Sequence, residues 1–462
     1  MHTEYKNFFF SYPLLKHPLE NEKPKLKQKY ISLIEYYRKT ICPEDEMVRI
    51  RFERFKTDFF KDTAIDSNDI KGTIKEIMKT RFTPFHFFSY RYIFLFDCIF
   101  LLAVDNLDYA PQICNFAKKS INQIGHKNMD FILEKMLTNP LELKHVPGIT
   151  EALTKSWIDA QAFIKTKEKK VVFTATMSAG KSTLINAIIG QKLSFTKKAA
   201  CTATVMEFCN SPTYHAKYNV SDSNGVKLNL TAKEVCKISE KRESPLTVTG
   251  YFNSKLSTHK LRFIDTPGVN SSLNPIHKQI TRDELLSQKQ DVIVYVIPVE
   301  NYGSEDDYAH LSFICKKVNY SKILFAVNMM DTCDFEDDSI EEILSNIATH
   351  LSDIGFSEPV VCPISAKAGL LFKQALSHTS LSSNELAELK ALIYTYKDDD
   401  YDLSPYYSTN GNADFCDNGF DLEDFNCQQL SELYPRTGLP QFESILLKRS
   451  NHAECYHQAQ SI

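Results

Sequence analysis

From about residue 168 the chain changes character, and that change sets what it can fold into. Short runs of consecutive apolar and β-branched residues, at 171–175, 260–265, 291–299, 322–328 and 359–364, read as strands. Amphipathic stretches at 181–189, 305–318 and 339–354 read as helices between them. Near-continuous apolar strands are buried on both faces, and strands separated by helices pair in parallel. Residues 166–448 are therefore expected to form an α/β domain, a mainly parallel sheet flanked by helices.

Residues 1–165 read as an all-helical region. Segments 25–38, 47–61, 70–81 and 150–165 mix apolar residues at three- and four-residue steps with many charges. No catalytic constellation appears there. The stretch 87–105 is about as long as a bilayer-spanning helix needs to be. It carries Arg91 near its start and Asp97 at its centre, where a charge in lipid costs at least ~2.5 kcal/mol. We read it as a buried core helix, with a membrane-facing hairpin as the alternative.

Composition narrows the class further. A chain of 462 residues is long enough for two or three domains, each with its own core. A net charge of -4 gives no basic footprint, so nucleic acid is not expected as a partner. The N-terminus lacks the basic start, apolar stretch and cleavage site of a secretory signal. Twelve cysteines occur without a C-x-x-C pair, several in apolar runs (Cys98, Cys315, Cys362), which fits reduced thiols and a cytoplasmic address. The stretch 397–425, rich in Asp, Tyr, Asn and Gly, reads as a solvated acidic loop without the spacing of a calcium loop. Residues 449–462 read as a short, frayed tail, with metal ligation by the run from His452 to His457 as the remoter alternative.

The chemistry lies at the carboxyl ends of the predicted strands. Ala175-Thr-Met-Ser-Ala-Gly-Lys-Ser182 follows the first strand and opens a helix, the context of a phosphate-binding loop. It departs from the usual pattern in having Ala175 where the first glycine stands. Gly180 lets the backbone approach phosphate, while the amides of Ser178, Ala179 and Thr183 and the helix N-terminus supply donors. Lys181 is positioned to reach the β- and γ-phosphates, and Ser182 to ligate Mg²⁺. Asp265-Thr-Pro-Gly268 closes a later strand; its carboxylate suits Mg²⁺ and the Gly268 amide a γ-phosphate. Asn328-Met-Met-Asp331 closes another. Asp331 can accept both the ring N–H and the amine hydrogens of guanine, a donor pair that adenine lacks. Ser365-Ala366-Lys367 closes the last strand, where a backbone amide can meet the guanine carbonyl. Each motif is weak alone; four in order, each at a strand end, define a P-loop NTPase site for GTP.

Between the phosphate loop and Asp265 stands Ala199-Ala-Cys-Thr-Ala-Thr-Val205. A switch segment here supplies a threonine to Mg²⁺ and the γ-phosphate. Thr202 is the choice on position, with Thr204 behind it; threonines favoured at a strand entry are the plainer alternative.

These motifs resemble those of the dynamin superfamily, especially its bacterial dynamin-like members. The match is closest at Met177-Ser-Ala-Gly-Lys-Ser-Thr-Leu-Ile-Asn-Ala187, Cys201-Thr-Ala-Thr-Val205 and Asp265-Thr-Pro-Gly268. The long stretch between Lys181 and Asp265 and the run Arg436-Thr-Gly-Leu-Pro-Gln-Phe-Glu443 are also similar. The resemblance covers roughly residues 168–447. It implies Mg²⁺-dependent GTP hydrolysis, stimulated when two GTPase domains form a homodimer across their nucleotides. Carried over by position, Ser178 stabilises charge developing between the β- and γ-phosphates, and Thr202 orients the attacking water. Lys181 completes the catalytic set.

Three departures modify that expectation. Met177 stands where many members carry a polar residue, and Met329 where the base motif usually has lysine, so weaker GTP affinity is expected. The residues after Lys448 are too few for the long stalk and lipid-binding element of membrane-remodelling dynamins. The N-terminal helices are thus free to bind a partner protein or pair with a terminal helix, and peripheral membrane association stays open. Two rivals remain: a GTP-gated assembly module with little turnover, and an RNA-associated GTPase of the Era type.

Overall fold

The computed structural model describes residues 17–60, 87–119, 125–194, 205–212, 216–240, 244–269, 275–287, 289–335, 339–377, 379–408 and 427–459. The chain divides into two compact units, Met1–Lys167 with Ser211–His215, and Glu168–Asn210 with Ala216–Ile462.

The described part of the first unit is helical: α1 (Pro24–Ile41), α2 (Glu46–Phe60), α3 (Phe87–Ala103), α4 (Tyr109–Lys118), α5 (His126–Thr138) and α6 (Glu151–Lys165). The expected helix at 70–81 lies outside the described residues. The apolar helix α3 is the hub of this core, its side chains from Tyr90 to Ala103 all buried. Phe94 meets the edges of Tyr30 and Tyr37, and Phe100 that of Trp157, at 5.2–5.4 Å. Its central carboxylate is satisfied from within: the Tyr30 hydroxyl donates to Asp97 Oδ2 at 2.6 Å, and His17 Nε2 lies 3.1 Å from the same oxygen. Arg51 likewise donates to the Leu101 carbonyl and to Asp105. Among the described residues no helix is long and apolar enough to cross a membrane. The core-helix reading of 87–105 describes how these side chains are buried.

The second unit is built on β1 (Lys169–Ala175), α7 (Lys181–Ile189), β2 (Met206–Asn210), β3 (Tyr218–Asp222), β4 (Gly225–Leu230), α8 (Ala232–Glu240) and β5 (Leu246–Gly250). It continues through β6 (Leu261–Asp265), α9 (Pro275–Leu286), β7 (Val292–Pro298), α10 (Glu305–Lys317), β8 (Ile323–Asn328), α11 (Ile340–Ile354) and β9 (Val361–Pro363). Helices α12 (Ala366–Leu376), α13 (Ser383–Thr395), α14 (Cys427–Leu433) and α15 (Leu439–Ala459) follow. The strands form one sheet in the order β4-β3-β5-β2-β6-β1-β7-β8-β9. The half from β6 to β9 is parallel throughout, and β2 joins it antiparallel to β6. Side chains alternate between faces as the pleat requires. Val292, Val294 and Val296 enter one core with Val171 and Phe173, whereas Ile293, Tyr295 and Ile297 enter the opposite one with Val172.

The five strands read from sequence are the parallel half. The long stretch before Asp265 folds into β2–β5 and α8, an extension with antiparallel pairs at its far edge. Residues 397–408 are folded rather than a free solvated loop, and 409–426 lie outside the described residues. Helix α15 runs on to Ala459, so residues 449–459 continue a helix instead of forming a separate tail. Among the described cysteines all are free, and burial pushes the thiols of Cys209 and Cys362 up to about 12.

Candidate functional site

Parallel strands with short exits bring their carboxyl ends to one edge of the sheet, and four loops meet there. The loop after β1 turns tightly into α7. Ser178 and Gly180 both adopt left-handed backbone (φ +64° and +81°), a conformation that favours glycine. A Cβ at Gly180 would lie 2.2 Å from Asn328 Nδ2, so no other residue fits between the phosphate loop and the base loop. Ser178 is exposed at the tip, while Ala179 and Lys181 are buried and Ser182 and Thr183 half-buried in the first turn of α7.

Asp265, 3% exposed at the end of β6, gathers this loop electrostatically. Its carboxylate pairs with the Lys181 ammonium and accepts from Ser182 Oγ at 3.2 Å. It also accepts from Ser194 Oγ at 3.0 Å. Ser194 was not apparent from the motifs. Asn186, one turn along α7, places it by accepting from the Leu193 and Ser194 amides and donating to the Ser194 carbonyl, each at 2.9 Å. The signal was Asn186 itself, a polar residue inside the apolar run of α7. Beyond Asp265, Gly268 backs onto the phosphate loop, where a Cβ would lie 3.3 Å from Met177 Cγ. Thr202 and its fallback Thr204 lie outside the described residues.

Asn328 ties three motifs together. Its Nδ2 donates to the Ala179 carbonyl at 3.1 Å, and its Oδ1 accepts from the Ala366 amide at 3.0 Å. Met329 then takes the left-handed conformation (φ +71°) and turns the chain so that the half-buried Asp331 faces the last loop. There the Ser365 hydroxyl donates to Asp331 Oδ1 while accepting from the Ala368 amide, capping α12. Ser365 and Ala366 are buried; Lys367 is exposed and pairs with Glu388 at 3.1 Å. Two oxygens at Ser182 and Asp265, with Ser194 beside them, are a hard-donor set of the kind Mg²⁺ takes.

A cleft of about 250 Å³ opens beside Ser178, walled by Met177, Val269, Pro298, Glu300 and Met329. Its far side is anchored beneath the sheet. Tyr295 OH donates to Asp307 Oδ1 at 2.5 Å, and Asp307 Oδ2 accepts the Gly303 amide at 3.3 Å. On the same helix His310 meets the Thr174 hydroxyl of β1 at 2.9 Å. Burial, then the charges of Arg282 and Lys278, holds that imidazole down at about 3.

Comparison with known proteins bears on this geometry. A profile of the dynamin family matches residues 171–328, from β1 to the base motif. Sulfate adenylyltransferase subunit 1 of Colwellia psychrerythraea is 27% identical over 218 residues, 46% of this chain and 42% of that protein. Elongation factor 1-alpha of Methanosphaera stadtmanae is 22% identical over 147 residues, 31% of this chain and 33% of that protein. The chain thus spans less than half the length of these curated relatives. A solved bacterial dynamin pair, described as sensing and tethering membranes over long range, is 14% identical with a TM-score of 0.36, covering 79% of this chain and 56% of that one. The family match falls on the segment that carries the phosphate loop, Asp265 and Asn328, so residues 171–328 are a GTP-binding domain of the dynamin type.

Proposed function

We propose that the protein is a Mg²⁺-dependent GTPase whose turnover rises when two GTP-binding domains pair. The observation that carries this reading is Asn328, one side chain that fastens the phosphate loop to both base-recognition loops. Fixed loops of this kind catalyse phosphoryl transfer by positioning and electrostatics, the terms that dominate such reactions. Lys181, held against Asp265, exchanges that carboxylate for the β- and γ-phosphate oxygens. Ser182 and Asp265 are the residues that would hold Mg²⁺, which when bound neutralises charge across the two phosphates. Asp331, steered by Ser365, accepts the guanine donors. Exposed Ser178 stands where a second domain can close over the phosphates, and Thr202 is the residue proposed to orient water.

A second reading is favoured by Met177. Its side chain packs against Gly268, an apolar wall where a polar group would steer water. The protein is then a GTP-gated assembly module with negligible turnover. Phosphate release measured across protein concentrations, with Mg²⁺ and beside Lys181→Ala, separates the two. Specific activity that climbs with concentration and vanishes in Lys181→Ala, together with GTP binding, supports the GTPase. Tight GTP binding without turnover at any concentration supports the module. Unchanged GTP affinity in Lys181→Ala removes the site from both.

A further inference from the structure

The stretch 396–407, most of it read from sequence as part of the acidic loop 397–425, lies against both base-recognition loops. Tyr401 OH donates to the Cys333 carbonyl at 3.1 Å, two residues past Asp331, and its ring meets Phe335 edge-on at 4.8 Å. Tyr407 OH donates to the Pro363 carbonyl at 2.7 Å, two residues before Ser365. Leu403, 1% exposed, inserts into the core that also holds Val327 and Met330. The turn before α15 joins the same structure. The Ser365 amide donates to the Thr437 carbonyl at 3.0 Å, and the Leu403 amide to the Arg436 carbonyl at 2.9 Å. Arg436 in turn donates to Asp399 at 2.8 Å and to the Tyr396 carbonyl at 3.3 Å. Gly438 makes the closeness possible, since a Cβ there would lie 2.3 Å from the Pro363 carbonyl. Tyr396 is 1% exposed on α12's Phe372; burial first, then the Asp331 charge, raises its phenol.

We propose that residues 396–407, with the turn 434–438, form a brace that aims Asp331 at guanine, and that Tyr401 and Tyr407 are its positioning residues. The proposal rests on the base-site reading of Asp331 given above. The reason is geometric. Asp331 sits on a three-residue turn (Met330–Thr332) entered through the left-handed Met329, and Ser365 sits at the first turn of α12. The Asp331 loop has Met329 where a lysine stem would pack along the base, and Lys367 of the other loop pairs with Glu388. The two phenol hydroxyls fix the backbone immediately outside each reader, so the carboxylate keeps one orientation. Two neutral hydrogen bonds of this type together set an equilibrium by about ten-fold.

The test compares GDP with IDP, whose base lacks the exocyclic amine and so loses one of the hydrogens Asp331 accepts. Binding of both is measured for the full chain, for Tyr401→Phe with Tyr407→Phe, and for Asp331→Asn, together with the urea midpoint of each. The expected result is a preference for GDP that collapses in Asp331→Asn and falls three- to ten-fold in the double phenylalanine variant. IDP affinity and the urea midpoint of that variant should change less than two-fold. A preference intact in the double variant but lost in Asp331→Asn overturns the brace alone. GDP and IDP weakening equally, in step with the midpoint, also overturns it, since the tyrosines then only hold the fold. A preference unchanged by Asp331→Asn means the base is read elsewhere, and the site reading fails with the brace.

Discussion

Asp97 in the helical unit and Asp265 in the sheet unit are both carboxylates with almost no exposure, 0% and 3%, yet their surroundings differ in kind. Asp97 sits mid-helix among Ile93, Phe94 and Leu101 and is closed by partners from its own core, the Tyr30 phenol and the His17 ring. Asp265 sits where a strand ends, and its partners come from the loop and helix that follow another strand. A side chain in the middle of a packed helix can only be satisfied by side chains that the fold freezes around it. A strand end offers loops and a helix N-terminus whose donors can be traded for those of a ligand. The difference separates a carboxylate that specifies a core from one that can serve chemistry.

Removing Asp97 should give the largest effect, and it tests whether the units are separable. Asp97→Ala removes the buried acceptor of the Tyr30 hydroxyl and the partner of His17 Nε2, a loss of about 3–5 kcal/mol. Trp157, the single tryptophan, is buried in that core and donates to the Met136 carbonyl at 2.8 Å, so its fluorescence reports the helical unit directly. The urea midpoint followed by Trp157 should drop sharply while guanine-nucleotide affinity stays within two-fold. Affinity that falls in step would break the comparison, because Asp97 would then support the nucleotide site as well.

A smaller effect, of opposite location, is expected from His310. Its folded pKa of about 3 lies well below the ordinary imidazole value of 6.5. Between these limits the unfolded chain binds the extra proton, so stability rises with pH. The contribution is complete above the unfolded value and is lost as pH falls through the folded one. From pH 6.5 to about 5 it amounts to about 2 kcal/mol. Circular dichroism of the sheet unit's unfolding should show that slope, and His310→Gln, which keeps a polar side chain but cannot titrate, should flatten it. An equal slope in both proteins would assign the acid sensitivity to other groups.

The same contrast explains what was legible in the sequence. β1, β6, β7, β8 and β9 are apolar because both faces are covered, and the motif residues follow them without a gap. β4 is an edge strand with no fully buried position, and β3 and β5 are five residues each. Their pairing partners are set by tertiary contact rather than by a local pattern. Ser194 and the tyrosines of 396–407 act through distances that no spacing rule encodes. Three consecutive aspartates at 398–400 are indeed exposed, and they concealed the buried Leu403 and Tyr396 on either side. In the helical unit periodicity located α1, α2 and α6, but the Tyr30–Asp97 pairing spans 67 residues and leaves no local trace.

The smallest effect sharpens the comparison at one position of the sheet unit. Met329 is half-buried, left-handed in backbone and lines the cleft beside the phosphate loop. Its terminal carbon lies 3.4 Å from where a Gly180 Cβ would stand, so the side chain already lies along the loop. Lysine in the same path keeps the aliphatic contact and adds a charge at the solvent end. Met329→Lys should therefore tighten GTP and GDP alike by only about two- to five-fold, the worth of a partly exposed charge. The gain should shrink as salt is raised. A gain that resists salt would mean that the ammonium is buried against the nucleotide. No gain at all would mean that the packed stem is what the base loop needs, and that methionine supplies it in full.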